Sequence, residues 1–232
     1  MTQLELRCFG KPIVSQDGRL ITDFHSAKAQ ALLCYLAVTG CSHTRSSLTG
    51  LLWADFPEEN ARLNLRKVLS NLRKLAGDHL TITRQEVTFN EDGSYWLDVA
   101  AFEQAVSSLT SSPVLSEGDA DRLAQAMDLY QRDFLADFYV RSAPEFEAWV
   151  LTQQNRLRDM ALQAAQALAV YHSQQQQYET GLETVKRWLA LDSFDEEAHR
   201  QMIRLLALRG QRSAALDHYK TCQTLFREEY AL

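Results

Sequence analysis

Near residue 22 the hydrophobic pattern changes period, and that change limits the fold more than any other feature of the chain. Before it, Leu4, Leu6 and Cys8 alternate with Glu5 and Arg7, the period of two that puts alternate side chains on one face of a half-buried strand. Gly10-Lys11-Pro12 and Asp17-Gly18 supply turns, so Ile13-Val14 and Leu20-Ile21 read as the returning strands of a small antiparallel sheet. After it, apolar residues recur at helical spacing. One helix runs from a Ser26 cap through Ala27, Ala31, Leu32, Tyr35, Leu36 and Val38 to Gly40. A second covers 44–53, and a third runs from Glu58 to Ala76 and stops at Gly77. Residues 80–84 and 87–89 alternate again and are joined by Gln85-Glu86, which predicts a hairpin, and Tyr95-Trp96-Leu97 predicts a last strand.

From residue 99 the pattern is helical throughout. Helices are expected over 100–109, 119–131, 144–174, 178–191, 195–208 and 212–229, with a Ser/Pro/Gly-rich loop at 109–118. The run 174–177 of four glutamines falls between two of them as a link. A period of 34 residues maps Gln177 onto Gln211, Gly181 onto Ala215 and Leu182 onto Leu216, the spacing of tetratricopeptide helix hairpins. The expected architecture is mainly α: an α+β winged helix-turn-helix domain over 1–98, then an all-α, tetratricopeptide-like helical domain over 99–232.

Charge divides at the same place. The net charge of −6 lies wholly in residues 101–232, with 13 basic and 19 acidic residues, whereas residues 1–100 hold 11 of each. Within the neutral part, residues 60–76 carry five basic residues and no acidic one. A local basic stripe steers a polyanion even when the chain as a whole is acidic.

That stripe is one side of the third helix. At 100° per residue, Ala61, Leu65, Val68, Leu69, Leu72 and Ala76 form an apolar wall. Asn64, Arg66, Lys67, Ser70, Asn71 and Lys74 lie opposite, with Arg62 and Arg73 at the edge and Leu63 as the one apolar member. Arg, Lys, Asn and Ser are the residues that reach base edges and phosphates in a major groove. Solvated helix faces ordinarily alternate charge sign, and this one does not. Arg84, at the tip of the expected hairpin, is placed as a wing contact. The candidate DNA-binding residues are therefore Arg62, Asn64, Arg66, Lys67, Ser70, Asn71, Arg73, Lys74 and Arg84.

The stretches AKAQALLCYLAV and RSSLTGLLWADFPEENARLNLRKVLSNLRKLAG resemble the winged helix of response-regulator output domains. More closely, they resemble the N-terminal half of Streptomyces antibiotic regulatory protein (SARP)-like transcription factors. EFEAWVLTQQNRLRD and LALDSFDEEAHRQMIRLLALRGQRSAALDHYKTCQTLFREEY are similar to the bacterial transcriptional activator domain, and the order of the halves matches. The resemblance implies a transcriptional activator that binds direct repeats in double-stranded promoter DNA and recruits RNA polymerase. Its helical half would make homodimer or regulatory contacts, its recognition helix would be 58–76, and Leu52-Trp53, Asp55 and Pro57 would form the preceding turn, with Trp53 packed rather than on DNA. Relatives continue into an ATPase module and further repeats, so the sequence reads as a piece of a longer regulator or a minimal one. The turn at Arg84-Gln85-Glu86 lacks the family's glycine and places Glu86 where it opposes phosphate. A second reading makes the chain a protein-interaction adaptor of a larger signalling ATPase, its winged helix binding protein.

No GxxxxGK[ST], GxGxxG, HExxH or GxSxG occurs, so no enzymatic activity and no cofactor are expected. The six histidines read as surface or capping residues, and Cys34 and Cys41 as buried packing. The aromatic group Phe134, Phe138, Tyr139, Phe146 and Trp149 reads either as interhelix core or as an exposed partner anchor. Four scattered cysteines, no long apolar run and no signal-peptide pattern at the N-terminus point to a cytoplasmic protein without membrane contact.

Overall fold

The computed structural model describes residues 3–107 and 115–230. The chain divides into two compact units: Met1–Glu103 with Leu129–Leu157, and Gln104–Asp128 with Arg158–Leu232. Most of the expected 109–118 loop lies outside the described residues.

The first unit opens with the alternating segment. Strands β1 (Leu4–Arg7), β2 (Ile13–Gln16) and β3 (Arg19–Leu20) form an antiparallel meander, with Leu6 opposite Val14 and Leu4, Leu6, Cys8 and Val14 on the buried face. The β2–β3 turn has positive φ at both Asp17 and Gly18, as a two-residue hairpin turn of the I′ kind requires. Strand β7 (Tyr95–Leu97) pairs with β1 in parallel, Leu6 opposite Leu97, giving a sheet of order β3-β2-β1-β7. A parallel neighbour needs a long crossover, and the three helices and hairpin provide it.

Helix α1 (Ala27–Thr39) starts at Ser26, whose hydroxyl accepts the Ala29 N–H, and ends at Gly40 in the left-handed region. Helix α2 (Arg45–Trp53) starts at Thr44, whose hydroxyl accepts the Ser47 N–H at 3.1 Å. Helix α3 (Glu58–Ala76) has Glu58 and Glu59 in its first turn and Arg73 and Lys74 in its last, both favourable to the helix dipole. All three boundaries agree with the sequence reading. The hairpin is shorter than expected: β5 (Leu80–Ile82) and β6 (Glu86–Phe89) are joined through Thr83–Gln85. There the Thr83 hydroxyl accepts the Gln85 and Glu86 N–H groups and so pulls the chain out of the ladder. Strand β4 (His43–Thr44), unforeseen, extends this sheet to the order β4-β6-β5.

Residues 129–157, which follow the expected domain boundary, pack within the first compact unit. The Leu135 N–H donates to the Cys8 carbonyl at 2.7 Å and the Gly10 N–H to the Asp133 carbonyl at 3.0 Å, while Phe9 and Phe134 form a β-bridge. Three non-glycine residues of this segment, Leu135, Asp137 and Ser142, take positive φ. Within the aromatic group Phe134 and Phe146 are fully buried, as interhelix core requires, whereas Tyr139 is 71% exposed.

In the second unit α5 (Glu117–Leu129), α6 (Pro144–Gln174), α7 (Tyr178–Leu191), α8 (Glu196–Leu208) and α9 (Arg212–Tyr230) follow one another; α5 and α6 each cross from one unit to the other. Preceding them, α4 (Asp98–Ser107) likewise spans both units. Gly118, expected in a loop, lies in the first turn of α5. The glutamine run ends α6 and links it to α7, with Gln176 at positive φ. Asp195 caps α8 by accepting the Glu197 and Ala198 N–H groups, and its second oxygen accepts the indole N–H of buried Trp188 at 2.9 Å. Of the repeat-related pairs, Leu182 is 5% exposed and Leu216 62%: the same register is covered in α7 and open in α9.

Candidate nucleic-acid interface

Helix α3 packs on α1 and α2 through Ala61, Leu65, Val68, Leu69, Leu72 and Ala76, every one of them buried. Because 3.6 residues make a turn, burying that wall fixes the opposite face outward. Arg62, Arg66, Lys67, Ser70, Arg73 and Lys74 are exposed there. Arg62 forms an ion pair with Glu58, just before the stretch that lacks acidic residues. Arg66, Lys67, Arg73 and Lys74 have no carboxylate of the described residues in salt-bridge range.

The two asparagines sit apart from this exposed set. Asn64 is half-buried. Asn71 Oδ1 accepts the His25 N–H, and its Nδ2 donates to the Asp23 carbonyl, each at 3.2 Å. Its amide is therefore committed to the backbone of the segment leading into α1.

Arg84 is exposed at the hairpin tip, and the tip is held from two sides. The Arg45 guanidinium donates through Nε and Nη2 to the Thr83 carbonyl at 3.1 and 2.8 Å, and the Arg45 N–H donates to the Gln85 carbonyl. The Ser42 hydroxyl donates to Glu86 Oε2 at 2.8 Å. Glu86 is thus engaged beside β4 instead of standing free next to Arg84. Sequence reasoning missed Arg45, because the α2 N-terminus and the hairpin are nearly forty residues apart and only the β4–β6 pairing joins them.

The turn between α2 and α3 is fixed by another residue that the pattern did not single out. Lys28 Nζ donates to the Leu52 carbonyl at the end of α2 and to the Ser142 carbonyl at 3.0 Å. It also lies 5.3 Å from the Trp53 ring centre and 5.1 Å from that of Phe56. Burial pulls its ammonium below the usual lysine range, with Asp55 opposing. Trp53 is buried, as a packing residue should be.

Two expectations need correction. Cys34 is buried but Cys41 is exposed, since it lies beyond the Gly40 stop with its sulfur 3.3 Å from His43 Nε2. The histidines are not uniformly on the surface: His79, His172 and His199 are buried. His199 Nε2 donates to the Ser193 carbonyl at 3.0 Å and its Nδ1 lies 3.0 Å from His218 Nε2, whereas neither ring nitrogen of His79 has a hydrogen-bond partner among the described residues. Among the described residues no group of three His, Cys, Asp or Glu could hold a metal ion, and no helix is long and apolar enough to cross a membrane.

Residues 97–232, more than half of the chain, match the family described as bacterial transcriptional activator domain. The chain belongs to that family. The resemblance to SARP-like regulators read from the sequence is thereby borne out. The fold of this activator-domain protein is similar to that of Mycobacterium tuberculosis EmbR, solved in complex with a low-affinity phosphopeptide. The TM-score is 0.77 at 19% identity, over 100% of this chain and 62% of the EmbR chain, so the activator-domain protein spans less than two thirds of that structure. No curated protein sequence matches it.

Proposed function

We propose that this chain is a sequence-specific DNA-binding transcriptional regulator, an activator, that lays α3 in the major groove of promoter DNA. The observation that supports this most directly is the outward face of α3: four exposed cations with no carboxylate of the described residues in salt-bridge range, beside a hairpin that presents Arg84 and is tethered by Ser42 and Arg45. Arg66, Lys67, Ser70 and Lys74 would face the groove floor, while Arg62, Arg73 and Arg84 would contact phosphates. Residues 1–98 would read DNA, and residues 99–232 would provide the homodimer, regulatory and RNA polymerase contacts. Family membership over 97–232 supports the activating role.

The test is retention of genomic duplex fragments by the purified protein at two salt concentrations, followed by titration of a retained fragment. With about three phosphates neutralised per chain, by Arg62, Arg73 and Arg84, affinity should fall on the order of fortyfold between 50 and 200 mM salt. Lys67→Glu combined with Lys74→Glu should abolish retention. Retention unchanged by that double variant refutes the placement of α3. No retained fragment at low salt refutes DNA reading and favours a protein partner for the same surface.

A further inference from the structure

Leucine at position 63 is the exception on the outward face of α3. At 100° per residue, Leu63, Lys67, Ser70 and Lys74 share a sector of roughly 60° whose centre lies opposite the buried wall. The other leucines of the wall, Leu65, Leu69 and Leu72, are 1%, 4% and 0% exposed, whereas Leu63 is 47% exposed. Single exposed leucines are ordinary on a protein surface. Leu63, however, stands within the sector of the cations, six residues into the helix, where groove-reading helices place their base contacts. Polar groups suffice for phosphate contacts and for most base edges. The apolar feature of the major-groove edge is the 5-methyl group of thymine.

We propose that Leu63 is a specificity-determining residue whose isobutyl group packs on the 5-methyl of a thymine. The inference rests on the DNA-reading function above and adds to it a base identity that the charged residues do not specify. Lys67 follows one turn later, about 6 Å along the helix axis. Residues about three apart on a groove-reading helix contact successive bases, so a guanine accepting from Lys67 through O6 or N7 should stand about one base pair from the thymine that Leu63 contacts.

The experiment begins with a duplex selected from a random-sequence library by the wild-type protein. Each thymine in it is then replaced singly by deoxyuridine, which removes the methyl and keeps base pairing. Wild type and Leu63→Ala are titrated against the series. One thymine per half-site should lose about three- to tenfold in affinity for wild type on loss of the methyl. Leu63→Ala should bind the parent duplex more weakly by a similar factor and be indifferent to that one replacement. Because Leu63 is exposed, its melting temperature should match wild type, which separates a contact effect from misfolding. A selected duplex in which no thymine shows this dependence on Leu63 overturns the thymine contact and leaves DNA reading intact. Failure to select any duplex overturns both.

Discussion

Asn71, near the end of α3, holds the backbone N–H of His25, 46 residues earlier, at 3.2 Å, and with its amide nitrogen the Asp23 carbonyl at the same distance. The residue thus ties the C-terminal part of α3 to the backbone of the segment leading into α1. Asn71→Ala removes two hydrogen bonds, at a cost of about 1–2 kcal/mol. DNA affinity should fall by a similar factor for every operator variant, with no change in base preference. Urea denaturation and binding to a set of single-base operator variants check both parts, and altered preference at one base pair would make Asn71 a direct reader instead.

Asp98 closes the first unit at the other side. Its carboxylate accepts the N–H groups of Cys8 at 2.7 Å, Phe9 at 2.9 Å and Val99 at 2.8 Å, so it anchors both the end of β1 and the start of α4. Burial pushes the carboxyl above its ordinary value, and the three N–H donors pull it back. Asp98→Ala leaves these donors without acceptors and should cost about 2–4 kcal/mol. Asp98→Asn, which keeps one accepting oxygen, should fall between wild type and alanine in chemical denaturation.

Acid should weaken the fold before the carboxylates titrate. Burial holds the His43 imidazole below its ordinary value of 6.5, and burial followed by the neighbouring His199 does the same to His218. Just below 6.5 the unfolded chain therefore binds more protons than the folded one. Stability is full above that value and declines as pH falls from there towards the lowered folded values. Melting temperature measured from pH 7.5 down to about pH 5.5 should show the decline, and His43→Gln with His218→Gln should flatten it. An undiminished slope in the double variant would place the cause elsewhere.

At Gly181 α7 approaches Leu205 and His172 closely. A Cβ there would meet Leu205 Cδ1 at 3.2 Å and His172 Cβ at 3.4 Å. Gly181→Ala gains helix propensity and loses space, so its net effect should be small. Gly181→Val overpacks the site and should destabilise the second unit by about 1–3 kcal/mol. The repeat-related Ala215, 6% exposed, already carries a methyl at the same register.

Much of this protein was legible in local chemistry. The Ser26 cap, the stop at Gly40 and the wall of α3 are set by residues within a few positions of each other, and helix boundaries follow from such short-range terms. The outward face of α3 was legible for the same reason, because burying one side of a helix dictates the other. Tertiary structure alone decided what depends on partners far along the chain. The parallel pairing of β7 with β1, the return of residues 129–157 to the first unit, and Arg45 on the hairpin each join segments whose own patterns do not name their neighbours. Asn71 shows the limit most plainly. Its helical angle places it with the cations, but an amide both donates and accepts, and the nearby Asp23–His25 backbone supplied the groups that took it.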